Sequence, residues 1–158
     1  MLTLLLCPGF GLTAPNQLKA TASTQDEEEV RNFIAFFVRA FEDLDWTKFR
    51  SCFAEAATIF YPEFFSRRVE GNSNIDSAWQ QVFQNIKIQS GKSRAPYMDL
   101  NITDAQVQIL QDAAVVTFHV KHAGTVVERR TLVVQKRSRR WKIVHLHASN
   151  VDFGPEAK

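Results

Sequence analysis

Apolar residues between positions 26 and 90 recur every three or four residues, the spacing that places side chains on one side of a helix. A first helix is predicted to begin at Asp26, because the acidic run at 26–29 suits the positive end of a helix dipole. A short second helix is predicted after Asp45 as N-cap, and a third after the cap-forming residues at 72–74. The buried stripes are predicted to carry Phe33, Phe37, Phe41, Trp79 and Phe83.

Later in the chain the pattern changes to the alternation of apolar and polar residues that is typical of strands. A short strand at 57–62 is predicted to end at Pro62, and a longer one at 98–110 to bulge near Asp104. Strands at 113–122, 125–136 and 140–150 follow, joined by short turns. Helices first and an antiparallel meander afterwards predict the α+β class.

The last predicted strand, residues 140–150, carries two closely spaced imidazoles. Strict alternation predicts one face with Trp141, Ile143, His145, His147 and Ser149. It predicts the opposite face with Lys142, Val144, Leu146 and Ala148. The first face runs from bulky core residues to imidazoles roughly 7 Å apart at the backbone, as one wall of a binding cavity would. The alternative is that both histidines are structural residues at a strand end.

Charge and hydropathy exclude several classes of partner. The 158 residues carry a formal net charge of +2, too little to indicate a nucleic-acid or membrane partner. No apolar run approaches the roughly 18 residues that span a bilayer. The basic run at 136–140 is predicted to be a solvated hairpin turn, because no stacking aromatic residues accompany it.

The N-terminal segment differs in composition from the rest of the chain. Residues 1–25 are predicted to be a leader, 26–153 the folded domain and 154–158 a tail. The small-x-small sequence at 20–22 is typical of a signal-peptidase site, yet no Lys or Arg precedes the apolar run. Export and a cytoplasmic location with a disordered leader are therefore both open. Cys7 and Cys52 are not expected to form a disulfide, and Cys52 is interpreted as a small core residue.

Three short motifs then occur in a fixed order along the chain. They are Tyr61-Pro62-Glu63, Val69-Glu70-Gly71 and Trp141-x-x-Val144-His145-x-His147-x-Ser149. With the order of predicted elements, they resemble the nuclear transport factor 2-like (SnoaL-like) superfamily over residues 27–152. Within it they resemble the association domain of calcium/calmodulin-dependent protein kinase II and its stand-alone bacterial relatives.

The resemblance implies a cystatin-like cone, in which N-terminal helices cover the concave face of a strongly bent antiparallel sheet. A conical pocket would remain between them, and the convex face would form a homodimer. The apolar face of Val144, Leu146 and Ala148 is the patch expected to be covered in that dimer. The chain departs from the association domains at Val120 and Leu132, which stand where those domains have pocket arginines.

The same resemblance places Tyr61, Glu128, Arg130, His145 and His147 inside the cone, as the predicted ligand-binding residues. A cation and two imidazoles under an apolar roof predict an anionic or carbonyl-bearing small molecule. Arg130 is equally explained as a strand-face charge paired with Glu128.

Two further functions stay open beside ligand binding. An isomerase, cyclase or dehydratase would use Tyr61, His145 and His147 as acid–base groups, with Asp99 as a further candidate. A metal site would combine the two imidazoles with Glu128 or His122, but the upstream ligands of metal-binding cupins are missing, so no metal or other cofactor is predicted.

Overall fold

Residues 15–61, 67–121 and 127–151 are described by the computed structural model of the protein. Within them the helices are α1 (Pro15–Glu42), α2 (Trp46–Ser51) and α3 (Asn72–Ser90). The strands are β1 (Phe53–Phe60), β2 (Val69–Glu70), β3 (Asn101–Leu110), β4 (Ala113–Lys121), β5 (Val127–Arg137) and β6 (Arg140–Val151). Among these elements, no helix is long and apolar enough to cross a membrane.

The helix boundaries differ from the predictions at two N-termini. Helix α1 begins at Pro15 rather than at Asp26, because proline suits the first turn and no glycine or proline interrupts the chain up to Asp26. Helix α3 has Gly71 as its N-cap, with φ of 76° and no side-chain cap. The cap predicted for α2 is confirmed: the Asp45 carboxylate accepts a hydrogen bond of 3.0 Å from the Lys48 backbone N–H.

The strands form one six-stranded sheet in the order β2-β1-β6-β5-β4-β3. All neighbours are antiparallel except β1 and β6, which run parallel. The α+β class is confirmed, and the sheet is mixed rather than wholly antiparallel. The bulge predicted near Asp104 is present, since the β3–β4 register shifts between Thr103 and Gln106 and Asp104 has φ of 54°.

One face of the sheet, here called the helix face, packs against α1 and α3. Its buried residues include Ile59 on β1, Val116 on β4 and Leu132 on β5. The opposite face is here called the outer face, and it carries Thr58 and Phe60 on β1. Because side chains alternate along each strand, neighbouring residues divide between the two faces.

A bulge in β6 reverses the facing that strict alternation predicts for its second half. Val134 pairs with Ile143 but Val133 pairs with His145, so Val144 is an extra residue on β6. One extra residue moves every later side chain to the other face.

The predicted facing of the histidines is therefore wrong. Trp141 and Ile143 lie on the helix face, as predicted, but His145, His147 and Ser149 lie on the outer face. Leu146 and Ala148, predicted to face outward, are buried at 2% and 3% exposure.

The core between α1, α3 and the helix face is built from aromatic rings. Phe49 is fully buried, and its ring lies 4.9–5.5 Å from those of Phe37, Phe41, Phe53, Phe83 and Trp79. Trp141 is 6% exposed, as predicted for the core, whereas Phe33 is only partly buried. These interlocking rings fix how α1 and α3 sit over the sheet.

The N-terminal half of α1 is tied to the β5–β6 hairpin by an ion-pair cluster. The Lys136 ammonium donates to Asp26 at 2.7 Å and to Glu29 at 2.6 Å, and it lies 5.4 Å from the Trp141 ring centre. The Trp141 indole N–H donates to the same Glu29 carboxylate at 3.1 Å. This cluster holds α1 across one end of the helix face.

Candidate functional site

A cavity lies between α1, α3 and the helix face of the sheet. Its interior is narrow, with a cavity volume of about 30 Å³, enough for one or two water molecules. Its described wall is lined by Phe37, Val38, Phe41, Tyr61, Trp79, Leu100, Phe118, Val120, Arg130, Leu132 and Leu146. Eight of these eleven side chains are hydrocarbon, so the wall is mostly apolar.

The charged group of this wall is the guanidinium of Arg130 on β5. It donates to the carboxylate of Glu128, which lies two residues earlier on the same face of the strand. The two side chains are 12% and 7% exposed. Because both charges are largely removed from water, their fields act on a bound molecule more strongly than they would at the surface.

Tyr61 follows the end of β1 and completes this part of the wall. Its ring centre lies 5.5 Å from the Arg130 guanidinium carbon, a cation–π contact, and 5.3 Å from the Trp79 ring centre. Tyr61 is 9% exposed. The fold therefore brings Tyr61 and Arg130 together in the wall, and Glu128 is paired with Arg130 without being among the described wall residues.

His145 and His147 are not brought to this cavity. On the outer face, His145 Nδ1 hydrogen-bonds to the Thr58 hydroxyl at 2.7 Å. The Phe60 ring lies 5.9 Å from the His145 ring and 5.8 Å from the His147 ring. The predicted site that combined both imidazoles with Tyr61 and Arg130 is therefore divided between two faces of the sheet.

Burial lowers the pKa of His145 below its usual value of 6.5, and the neighbouring charges of His147 and Arg68 lower it further. The imidazole is thus kept neutral to lower pH than an exposed histidine. His147 is exposed on the same surface.

The remaining predicted groups do not extend the site. Asp99 is exposed on the segment before β3 and is absent from the described cavity wall. His122 lies outside the described residues, as does Cys7. Burial raises the pKa of Cys52 to about 12, which agrees with its interpretation as a core residue rather than a nucleophile. Within the described ranges, no group of three or more His, Cys, Asp or Glu side chains could hold a metal ion.

Nine of the eleven described wall residues were not predicted as site residues, and Trp79 and Leu146 show two reasons. Trp79 was assigned to the core, because its position on the apolar stripe of α3 does not distinguish a packed ring from a cavity wall. Leu146 was assigned to the opposite face, because the bulge at Val144 leaves no clear signal in a run of apolar and histidine residues.

Comparison with known proteins agrees with the fold. The family model of the SnoaL-like domain matches residues 30–152. No curated protein matches the chain. A candidate dehydratase of the NTF2-like family from Streptomyces avermitilis has a TM-score of 0.68 at 18% identity, over 82% of this chain and 99% of the other.

Two further solved structures share the architecture. A candidate ketosteroid isomerase from Parabacteroides distasonis has a TM-score of 0.60 at 20% identity, over 76% of this chain and 86% of that one. The CaMKII hub from S. rosetta has a TM-score of 0.58 at 22% identity, over 78% and 95% respectively. These likenesses show the fold alone.

The family model spans most of the chain, and the helices, sheet order and neighbouring structures agree with it. The chain therefore belongs to the SnoaL-like domain family of the NTF2-like superfamily.

Proposed function

We propose that the protein binds a compact small molecule in the cavity, with a carboxylate or carbonyl oxygen of the ligand near Arg130. The observation that carries the proposal is a buried guanidinium in an otherwise apolar wall, positioned against the Tyr61 ring at 5.5 Å. Ligand sites are commonly apolar cavities with a few placed polar groups. A guanidinium has several N–H donors, so it can donate hydrogen bonds to Glu128 and to a ligand oxygen at the same time.

The narrow interior limits the size of the ligand. An interior of about 30 Å³ holds one or two water molecules, so even a single ring requires the aromatic wall to move. We therefore expect the best ligands to combine a small hydrocarbon body with one acidic or carbonyl head.

Calorimetric titration with benzoate and toluene tests this site, because the two probes share a ring and differ in the carboxylate. Benzoate is expected to bind the parent protein more tightly than toluene. Arg130→Met should weaken benzoate binding about tenfold or more, since a hydrogen bond to a charged group contributes about 1.5–3 kcal/mol. Arg129→Met is the matched control, because Arg129 is exposed on the outer face of the same strand. Equal benzoate affinity in both variants would refute the role of Arg130.

We also propose that the protein forms a homodimer through the outer face. Phe60, an exposed aromatic residue on a strand, is 41% exposed there, beside Val133 on β5 and the two histidines. Exposed apolar groups gathered on one sheet face are suited to burial against a second copy. The patch differs from the one predicted from the sequence, because Leu146 and Ala148 belong to the helix face.

Light scattering over a wide range of protein concentration tests the dimer. Phe60→Asp should convert a dimeric parent into a monomer, because it places a charge in the apolar interface. Phe36→Asp is the control: Phe36 is 43% exposed, but it lies on α1, away from the outer face. A parent protein that is monomeric throughout, or a Phe60→Asp variant that stays dimeric, would contradict the proposal.

A second candidate function is proton transfer on a carbonyl ligand in the same cavity. The buried carboxylate of Glu128 beside Arg130 favours it, because a carboxylate base and a cation near the carbonyl oxygen are the groups that such chemistry needs. The histidines cannot take these roles from the outer face, so the acid–base assignment made from the sequence is replaced by Glu128 and Tyr61.

Deuterium exchange of acetophenone methyl protons, followed by NMR, tests this candidate. The parent protein should accelerate exchange, and Glu128→Gln should remove the acceleration while His145→Gln should retain it. Exchange that is as fast with Glu128→Gln as with the parent would exclude Glu128 as the base.

A further inference from the structure

Among the residues that the structure describes, the indole N–H of Trp79 is a buried donor without a hydrogen-bond acceptor. Trp79 is 4% exposed, and its Nε1 atom has no partner within the described ranges. The indole of Trp141 is different, because its N–H donates to Glu29. Buried tryptophan N–H groups usually have an acceptor, and leaving one unpaired costs free energy. An unpaired N–H in the wall of a cavity therefore needs an explanation.

The surroundings of Trp79 are aromatic. Its ring makes edge-to-face contacts with Phe41 at 5.6 Å, Phe49 at 4.9 Å and Tyr61 at 5.3 Å. The two phenylalanine rings provide no oxygen acceptor, so the aromatic packing that buries the indole also deprives it of a conventional partner.

The polar side chains of the described cavity wall have one property in common. They are Tyr61, Trp79 and Arg130. All three can donate hydrogen bonds, and the tryptophan and arginine can only donate. Because two of the three can only donate, this wall favours ligands that carry an oxygen acceptor.

We propose that Trp79 is a ligand-binding residue, whose N–H donates to an oxygen of a small hydrophobic carboxylate or ketone. This inference rests on the proposed cavity function and specifies its ligand class. The ligand oxygen supplies the acceptor that the described residues do not give this indole. Arg130 and Trp79 both contact the Tyr61 ring, since the guanidinium carbon lies 5.5 Å and the Trp79 ring centre 5.3 Å from its centre, so both border the same part of the cavity.

NMR of protein labelled with ¹⁵N at the tryptophan indoles tests the contact directly. The sequence has three tryptophans, so three indole N–H signals are expected. Trp79→Phe and Trp46→Phe identify the signals. On titration with benzoate, the Trp79 proton signal should move downfield more than the other two, because a hydrogen bond to a carboxylate deshields the proton. Toluene, which has no acceptor, should not produce that downfield movement.

Affinity provides the second measurement. Trp79→Phe keeps an aromatic ring in the wall but removes the donor, and it should weaken benzoate binding about tenfold, the effect of losing one hydrogen bond to a charged group. Trp46→Phe should bind benzoate as the parent does. The NMR titration uses the parent protein, so it remains decisive if Trp79→Phe does not fold.

The outcomes separate this inference from the cavity function itself. One outcome would overturn the inference alone: benzoate binds with an affinity that depends on Arg130, but the Trp79 signal does not move and Trp79→Phe binds benzoate as tightly as the parent. The indole N–H would then interact with the neighbouring ring faces instead of a ligand. If neither benzoate nor acetophenone binds the parent protein, the proposed cavity function fails and the inference fails with it.

Discussion

The two faces of the sheet use the same strands for different chemistry. On β5, Leu132 and Val134 are fully buried on the helix face, while Thr131 and Val133 are partly exposed on the outer face. The helix face surrounds its charged pair with aromatic and aliphatic side chains. The outer face instead places the Thr58 hydroxyl and the imidazoles of His145 and His147 near Phe60. Simple alternation along each strand is enough to separate a core with a cavity from a surface suited to another chain.

The comparison also shows how much depends on one inserted residue. Without the bulge at Val144, both histidines would lie in the cavity wall, and Leu146 and Ala148 would lie on the outer face. The bulge therefore makes the cavity more apolar and moves the titratable imidazoles to the surface proposed for dimerisation.

The largest expected difference between the faces is in the free energy of unfolding when a phenylalanine is truncated. Phe49→Ala should lower it by about 3–5 kcal/mol, because the ring is fully buried among other rings. Phe60→Ala should cost less than about 1 kcal/mol in the isolated protomer, because Phe60 is 41% exposed to water already.

Chemical denaturation at two protein concentrations provides this measurement. If Phe60 stabilises a dimer, the loss of unfolding free energy in Phe60→Ala will depend on protein concentration. The loss in Phe49→Ala should be the same at every concentration. Similar losses for the two variants at low concentration would contradict the assignment of the faces.

The next prediction compares adjacent arginines on opposite faces. Arg130→Met should destabilise the protein by about 3 kcal/mol, because it removes the observed cationic partner of the buried Glu128 carboxylate. Arg129→Met should change stability by less than about 0.5 kcal/mol, as is usual at exposed positions.

A double variant sharpens this test. Glu128→Leu combined with Arg130→Met removes both charges, and it should recover most of the stability lost in Arg130→Met alone. If the double variant is as unstable as the single one, the loss comes from packing rather than from an unpaired charge.

The fold was largely predictable because its signals are periodic and repeated. The aromatic stripes of α1 and α3, the Asp45 cap and the bulge near Asp104 were all identified from residue type and spacing. The start of α1 at Pro15 was not predicted. The residues from Pro15 to the predicted start were assigned to a leader from their composition, and their helix propensity was not used.

The candidate site was only half predictable, for a physical reason. Alternation along β5 predicted Glu128 and Arg130 on the face of Leu132, and no register shift is found in its pairing with β4. Tyr61 was assigned to the pocket from the family resemblance, and it lies directly after β1. His145 and His147 follow a bulge, and the register of a strand against its neighbours cannot be read from the strand's own sequence. The family resemblance did not correct that error, because it was applied to a last strand that was assumed to alternate without a bulge.

The smallest predicted effect concerns pH and the outer face. The pKa of His145 is lower in the folded protein than in the unfolded chain. As pH falls below about 6.5, the unfolded chain therefore binds more protons at this residue than the folded protein does. The contribution of His145 to stability is therefore fully present above pH 6.5 and is lost as pH falls through 6.5 towards the lower folded pKa.

The difference between parent and His145→Gln isolates this contribution from other groups that titrate in the same range. Unfolding free energies measured between pH 7 and pH 5 should fall more steeply for the parent, since glutamine cannot be protonated there yet can still hydrogen-bond to Thr58. His147→Gln should reduce the steepness only in part, because it removes repulsion from one neighbour but leaves the burial of His145 unchanged. Identical pH dependence in the parent and His145→Gln would show that the outer-face imidazole is not linked to folding, and the comparison of the two faces would then rest on packing alone.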